Sequence, residues 1–401
     1  MPGPHFRSVI LKLTSFCNLN CSYCYMFNLA DRSFERMPRN MSADTAVTTL
    51  RRLAAHARFH GEAKIGLVLH GGEPTLWPIE NFRQLFQAVR EVRSSGLGVE
   101  VSLQTNGLLI KRQLTELLAD NDVTLGISLD GPEAYNDRFR VTHSGSGSYG
   151  RVLSNVGKVL DWGLDRSKCG FLCVINPGIS PGAFLGWADG LPLDNLSVLW
   201  PIEFSWSKPP WGTTDEAEYA RRPVYGQWMA AAFEQWWGKF VDRLHVRIFI
   251  DTIARMMGSR DHSDSIGNDS IDMFVVNCDG SIEYSDYLRA QVDGGADSGY
   301  KVRDTDLDDL RNDRVFRTLL SLREHLPEFC SGCPHVDVCG GGFLPGRSDS
   351  SGFCVARRSV LCHDQAFYFE AVRRMVSPYI QALRSYNQAE PSQAGIASAA
   401  P

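Results

Sequence analysis

Three cysteines stand at C-x3-C-x2-C spacing in the stretch Leu13-Thr14-Ser15-Phe16-Cys17-Asn18-Leu19-Asn20-Cys21-Ser22-Tyr23-Cys24-Tyr25. Three thiolates on one tight loop suit an iron-sulfur cluster. Cubane 4Fe-4S clusters are normally held by four Cys thiolates, so three leave one iron open to a further ligand. A zinc site usually draws its four ligands from two close pairs, and no second pair lies nearby. A second group occurs late in the chain: Cys330, Cys333 and Cys339 at C-x2-C-x5-C spacing, with Cys354 and Cys362 beyond. That group has the ligand number for another 4Fe-4S cluster, although four thiolates also satisfy tetrahedral zinc.

Composition bounds what these sites can serve. The chain has 401 residues, too many for one hydrophobic core, so two packed units are expected. A net charge of −5 argues against nucleic acid as a partner, because phosphate binding needs clustered Lys and Arg. The start, Met1-Pro2-Gly3-Pro4-His5-Phe6-Arg7, has no apolar signal region, and no apolar run is long enough to span a bilayer. A cytoplasmic protein without membrane contact is expected. There the eleven cysteines act as metal ligands or free thiols rather than disulfides.

An alternating series of elements positions the thiols. Apolar runs at 8–13, 65–70, 99–104, 123–129, 170–175 and 196–200 read as buried parallel strands. Helical patterns at 43–58, capped by Ser42, and at 79–95, 112–119, 148–161 and 182–189 separate them. Six such units imply a parallel sheet wrapped by helices, a partial (β/α)6 barrel whose sites lie at the strands' C-terminal face. Residues 1–215 are assigned to the barrel, 216–275 to a bridging helical region and linker, 276–375 to a cysteine-bearing domain, and 376–401 to the end of a last helix (364–385) and a disordered tail. Six of nine tryptophans (Trp200, Trp206, Trp211, Trp228, Trp236 and Trp237) fall near the bridge and are expected to pack as core. Gly258 to Asp269, rich in Ser, Asp and Gly, reads as a mobile linker. Gly145 to Gly150 fits G-x-G-x-x-G without a preceding strand and reads as a loop into a helix. His56 and His60 share a helix face but lack the zincin Glu, and are expected to be solvated. Cys169 and Cys173 read as core, and Cys278 has no evident partner.

Further motifs fall at the strand ends. His70-Gly71-Gly72-Glu73-Pro74 ends the second strand, Gln104-Thr105-Asn106-Gly107 the third and Ser128-Leu129-Asp130-Gly131 the fourth; Asn136-Asp137-Arg138-Phe139-Arg140 comes next. Together with the first cysteine loop they resemble the radical S-adenosylmethionine (radical SAM) superfamily. The resemblance implies that SAM chelates the open iron, that Gly71, Gly72 and Glu73 hold the methionine amino group, and that Gln104, Ser128 and Asp130 face SAM, the last two at the ribose. Arg140 would pair with the SAM carboxylate, although Asn136 stands where the family has His; Arg138 reads as a surface cation.

The second cysteine group, with Gly340-Gly341-Gly342-Phe343, looks like the SPASM domain, the auxiliary-cluster module of peptide-modifying radical SAM enzymes. The full pattern holds two auxiliary clusters. Two of its cysteine positions are Ser285, in the G-x4-C element from Gly280, and Phe343. The resemblance therefore implies one outer 4Fe-4S cluster on Cys330, Cys333, Cys339 and Cys362, two clusters in all, with Cys362 preferred over Cys354 because His363-Asp364-Gln365 directly succeeds it. Loss of the inner cluster, with Asp31-Arg32-Ser33 and the Cys-Gly-Gly-Gly-Phe stretch, most resembles cyclophane-forming maturases of ribosomally made peptides, which join a side-chain β carbon to an aromatic ring. Asp286 matches the position of the catalytic base in anaerobic sulfatase maturases; pairing with Arg289 is its bland alternative. Partners implied are a precursor peptide and an external electron donor such as flavodoxin or ferredoxin. No leader-binding winged helix is expected. Competing readings are formylglycine formation, other peptide modification (epimerisation, hydroxylation or thioether formation), and a non-enzymatic zinc scaffold.

Overall fold

The computed structural model describes residues 3–259, 266–267 and 269–389. Six strands alternate with helices: β1 (Ser8–Lys12), α1 (Ala43–Phe59), β2 (Lys64–His70), α2 (Ile79–Ser94), β3 (Gly98–Thr105), α3 (Arg112–Asp120), β4 (Thr124–Ser128), α4 (Glu133–Phe139), α5 (Tyr149–Asp161), β5 (Cys169–Val174), α6 (Pro181–Asp189) and β6 (Asn195–Leu199). All six pair in parallel in sequence order. Their alternate residues, such as Val9, Leu11, Leu67, Leu69, Leu125 and Ile127, are almost wholly buried, as a helix-covered parallel sheet requires. Ser42 caps α1 by accepting from the Thr45 N–H, and Ser180 caps α6 in the same way at Ala183.

The sheet is wider than six strands. After α7 (Glu216–Arg221) and α8 (Val224–Gln235), the short β7 (His245–Val246) extends the β6 edge in parallel and leads into α9 (Arg247–Met256). At the other edge β8 (Met273–Val276) runs parallel to β1 and leads into the antiparallel β9 (Ser281–Glu283) and β10 (Asp297–Lys301), so the order is β10-β9-β8-β1-β2-β3-β4-β5-β6-β7. The chain beyond β10 carries the second cysteine group, on and between α10 (Leu307–Leu310), α11 (Arg314–Leu320), α12 (Val336–Cys339) and α13 (Cys362–Ala389).

The bridging tryptophans pack as expected: Trp200, Trp228 and Trp236 are buried, and Phe233, Phe249 and Tyr368 of α13 meet in one aromatic cluster that seats α13 on α8 and α9. Each fully buried aromatic of this kind contributes roughly 2–3 kcal/mol. Cys169 and Cys173 are core residues. The helix of 364–385 begins at Cys362 and runs to Ala389; the expected tail lies, from residue 390, outside the described residues. Of the expected linker, 260–265 and 268 also lie outside them, while Ile266 is fully buried.

His56 and His60 are not solvated. Both are buried and bond to Asp308 of α10, through His56 Nδ1 at 3.2 Å and His60 Nε2 at 2.7 Å. The carboxylate that buries them arrives from some 250 residues further on. These three residues place donor atoms close enough for a metal ion, but the Phe6 N–H donates to His56 Nε2 and Arg311 Nη1 lies 3.2 Å from His60 Nε2. The first bond leaves the proton on His56 Nδ1, facing Asp308, and the second brings a cation; both belong to a hydrogen-bonded clasp rather than a metal site.

Candidate active site and second thiol site

The cysteine loop leaves the C-terminal end of β1 and is fastened to the end of β2. Gly72 N–H donates to Thr14 O at 2.7 Å and Glu73 N–H to Phe16 O at 2.9 Å. A Cβ on Gly72 would lie 2.2 Å from Phe16 O, and Gly71 takes φ 140°. The glycines therefore let the β2 end meet the backbone of the cysteine loop, a close approach whose target the sequence alone does not name. Cys17, Cys21 and Cys24 lie near enough to act on one another electrostatically. Burial pushes the Cys17 thiol up to about 12 and Cys24 to about 11, so thiolates here need a metal's positive charge. Cys17 Sγ also takes hydrogen bonds from Leu19 N–H and Asn106 Nδ2, and a third nitrogen donor in this corner, Asn18 Nδ2, is buried without a partner among the described residues. A donor-rich corner with one buried and two half-buried thiols fits a three-thiolate cluster.

The other predicted residues of the barrel mouth converge beside the loop. Glu73 is buried; its Oε1 accepts from Thr105 Oγ1, Thr75 Oγ1 and Thr75 N–H, and its Oε2 from Asn106 N–H. Gln104 Nε2 donates to Ser128 Oγ at 2.9 Å. Arg140 is buried, donates to Tyr23 Oη at 2.8 Å and faces Asp130 at 3.9 Å, while Tyr23 bonds to Asp130. Arg140 and Asp130 both act on Cys21. Asn136 is a structural residue that accepts from Asp130 N–H and donates to Ser148 Oγ. Arg138 is exposed.

Asp286 opens a short 3-10 helix (Asp286–Ala290) and is buried. Its partner is not Arg289 but Lys12, the last residue of β1, at 2.6 Å, and Tyr25 Oη donates to the same oxygen, Oδ2, at 2.7 Å. Among the described residues no side chain donates to Oδ1. Lys12 also reaches Tyr25 Oη at 3.0 Å and His70 Nδ1 at 3.2 Å. Burial opposes ionisation of Asp286, but the Lys12 ammonium, His70 and the bonds from Lys12 and Tyr25 outweigh it and bring the carboxyl down to about 2. Burial, then Lys12, hold His70 neutral, down to about 3. Arg289 turns the other way, into a fully buried network with Glu283 (2.6 Å), Asp31 (3.1 Å) and Asn277 (2.6 Å). Sequence reasoning missed Lys12 and Tyr25, and the contacts that Tyr23 and His70 make. A lysine inside the run Val9-Ile10-Leu11-Lys12-Leu13 was the available signal, since a buried strand rarely carries an unpaired charge.

Cys330, Cys333, Cys339 and Cys362 line one pocket with Phe329, His335, Gly341, Gly342, Arg358 and Phe369; Cys354 is not in its wall. Burial raises the Cys362 thiol to about 11 and drives Cys339 higher. Gln365 Nε2 and Arg347 Nε close by are buried donors without partners among the described residues. Four thiols with unanswered donors beside them fit a sulfur-rich anionic cluster, whose inorganic sulfides add acceptors to those of the thiolates. Where the full SPASM pattern has further cysteines, Phe343 is buried with its ring 6.1 Å from Tyr287, and Ser285 is buried as the residue before Asp286. Cys278 donates to Lys12 O at 3.0 Å.

Residues 11–189 match the model of the Radical SAM superfamily. The cysteine-type anaerobic sulfatase-maturating enzyme of Clostridium novyi is 24% identical over 372 residues, 88% of this chain and 93% of that protein. The serine-type enzyme of Bacteroides thetaiotaomicron is 19% identical over 405 residues, covering 96% and 93%. Among solved structures, native anSMEcpe with bound AdoMet superposes at TM-score 0.78 with 20% identity, over 94% of this chain and 99% of that one. Streptococcus suis SuiB bound to its precursor peptide SuiA superposes at 0.56 with 17% identity, over 89% and 76%. Both likenesses concern the fold. Among the described residues no helix is long and apolar enough to cross a membrane.

Proposed function

We propose that this radical SAM enzyme modifies a ribosomally made peptide by joining a side-chain β carbon to an aromatic ring. The observation that carries the crosslinking reading is the inner site: a packed Phe343 and a buried Ser285 stand where the sulfatase-maturase pattern supplies thiolates. In this reading Cys17, Cys21 and Cys24 hold the SAM-binding 4Fe-4S cluster, and Cys330, Cys333, Cys339 and Cys362 hold a second. Gly71, Gly72, Glu73, Gln104, Ser128, Asp130 and Arg140 line the SAM site, with Tyr23 orienting the Arg140–Asp130 pair. When bound, the cluster and SAM supply a carbon-centred radical that abstracts hydrogen from the substrate.

The chain's own residues then manage a proton. Joining a carbon radical to a ring requires a ring proton to leave with an electron, and a cluster on Cys330, Cys333, Cys339 and Cys362 would be the acceptor for that electron. Asp286 Oδ1 accepts the proton, while Lys12 and Tyr25 hold Oδ2 and fix the carboxylate. A proton that departs together with an electron is acidic, so a carboxylate of low basicity suffices. Lys12 and Tyr25 are thus positioning residues. An external donor such as flavodoxin or ferredoxin supplies the electron that starts each turnover, and we assign the protein to the cytoplasm, where its free thiols stay reduced.

A second reading is oxidation of a Ser or Cys to formylglycine. It is favoured by end-to-end similarity to sulfatase maturases and by the retained Asp286. A carbonyl-reactive hydrazide separates the two: reconstituted protein with SAM, reductant and a co-encoded peptide should give a product that has lost two hydrogens and does not label. A labelled aldehyde would move the assignment to formylglycine.

A further inference from the structure

Arg347 is among the largest fully buried side chains of the molecule. It ends a short 3-10 helix (Leu344–Arg347) behind the four-thiol pocket. Its Nη2 donates to Gly340 O at 3.0 Å and lies 3.5 Å from Gly342 O; Nη1 lies 3.5 Å from Val355 O. Among the described residues Nε has no partner and no carboxylate forms an ion pair with the guanidinium. The titratable groups that influence it are the thiols of Cys339 and Cys330, which become anionic only as ligands of a metal group.

A guanidinium buried with carbonyl partners alone costs several kcal/mol, and burial lowers even this Arg's proton affinity. Yet the local backbone is built to hold it. Gly340, Gly341 and Gly342 take φ 65°, 85° and 90°, three successive left-handed residues. A Cβ on Gly341 would stand 2.2 Å from Arg347 Nη2. The glycine run turns its carbonyls onto the guanidinium and leaves no room for a side chain there. This much local conformation devoted to one buried cation calls for an anion, and the sequence around it supplies thiols rather than acids.

We propose that Arg347 is the internal counter-ion of the iron-sulfur cluster on Cys330, Cys333, Cys339 and Cys362, and that it raises that cluster's reduction potential. The proposal rests on the cluster reading of the second thiol site. A 4Fe-4S core with four thiolates carries a net charge of about −2 when oxidised and about −3 after taking one electron. A fixed cation beside it stabilises the more negative state more, so the one-electron reduction becomes easier; no atom is transferred. The unpartnered Nε–H is a donor available to a bound cluster, and a hydrogen bond from it to sulfur would act in the same direction. Arg358, half-buried in the pocket wall, also acts on Cys330 and Cys362, but its charge is shared with Glu216, which leaves Arg347 as the buried cation with no carboxylate of its own among the described residues.

The test is a potentiometric titration of the full-length holoenzyme followed by EPR, with dithionite as the one-electron donor. Adding SAM perturbs the open-iron cluster and leaves the signal of the four-thiolate cluster unchanged, which assigns the two. Arg347→Met should keep about eight irons per chain and move the SAM-insensitive midpoint to lower potential, while Arg347→Lys, which keeps the charge, should restore most of the shift. If Arg347→Met does not fold, Arg347→Gln retains a donor to Gly340 O without the charge and must show the same lowering. Full iron content with an unmoved SAM-insensitive midpoint in the neutral variants overturns the proposal alone. About four irons per chain and no SAM-insensitive signal in the wild type overturns the cluster reading beneath it, and the proposal with it.

Discussion

Removing the charge of Lys12 should cost more stability than any single exposed ion pair, and removing Asp286 with it should return most of that loss. The two side chains are 1% and 6% exposed and 2.6 Å apart. Its surroundings bring the Asp286 carboxyl from 3.8 down to about 2, which at about 1.4 kcal/mol per factor of ten favours the ionised form by roughly 2.5 kcal/mol. Burial works against ionisation of both groups and outweighs the attraction at Lys12, whose ammonium is held below its ordinary value, so the Asp286 figure describes that carboxylate's surroundings and not the net worth of the pair. Lys12→Met leaves a buried carboxylate without its cation and should lower unfolding free energy by about 3–5 kcal/mol, whereas Lys12→Met/Asp286→Asn should recover most of it. Because the native pKa is depressed, the pair's stabilisation is present above the unfolded value near 4 and is lost as pH falls toward 2. In Lys12→Met burial should instead raise the Asp286 pKa, so the deficit should shrink as pH is lowered and Asp286 protonates. Urea unfolding of the four proteins of the cycle at about pH 8 and about pH 5 measures both effects. A coupling energy below about 0.5 kcal/mol, the additive limit, or a deficit that does not depend on pH, would refute the reasoning.

The same geometry leads to other expected outcomes. Cys17→Ala, Cys21→Ala or Cys24→Ala should each abolish 5'-deoxyadenosine formation with the fold retained, read by chromatography of the reductive SAM cleavage reaction beside far-UV circular dichroism. Reconstituted wild type should hold about eight irons per chain, Cys330→Ala, Cys333→Ala, Cys339→Ala and Cys362→Ala about half, and Cys354→Ala close to the full amount, by iron assay. Asp286→Asn should still form 5'-deoxyadenosine but lose modified peptide by a factor on the order of 100. Gly341→Ala, which forces a Cβ against Arg347 at φ 85°, should cost about 1–3 kcal/mol of stability in thermal or chemical unfolding.

The barrel was readable because its signals are local. Runs such as Ile65 to His70 and the Ser42 cap declare strand and helix within a few residues, and the cysteine spacing of the first loop declares its chemistry within one turn of chain. β7 and β9, two and three residues long, are too short to show a period, and their membership in the sheet is set by tertiary pairing. The misjudged residues have partners far along the chain: Lys12 meets Asp286 across 274 positions, and His56 and His60 meet Asp308 across about 250. Asp286 and Arg289 are sequence neighbours of opposite charge, yet the short helix sends them to opposite sides, one toward Tyr25 and the other toward Asp31. The role of Gly340 to Gly342 was likewise invisible without Arg347 folded against their carbonyls.

The central claim is that a β carbon of a peptide is joined to an aromatic ring, and tandem mass spectrometry of a deuterium-labelled precursor peptide tests it most directly. With label on the β carbons, one deuterium should appear in 5'-deoxyadenosine for each peptide modified. With label on the ring, the product should lose one ring deuterium and contain a pair of residues between which the backbone no longer separates on fragmentation. A product that keeps every ring deuterium while transferring a β deuterium would contradict crosslinking and leave oxidation at the β carbon as the reaction.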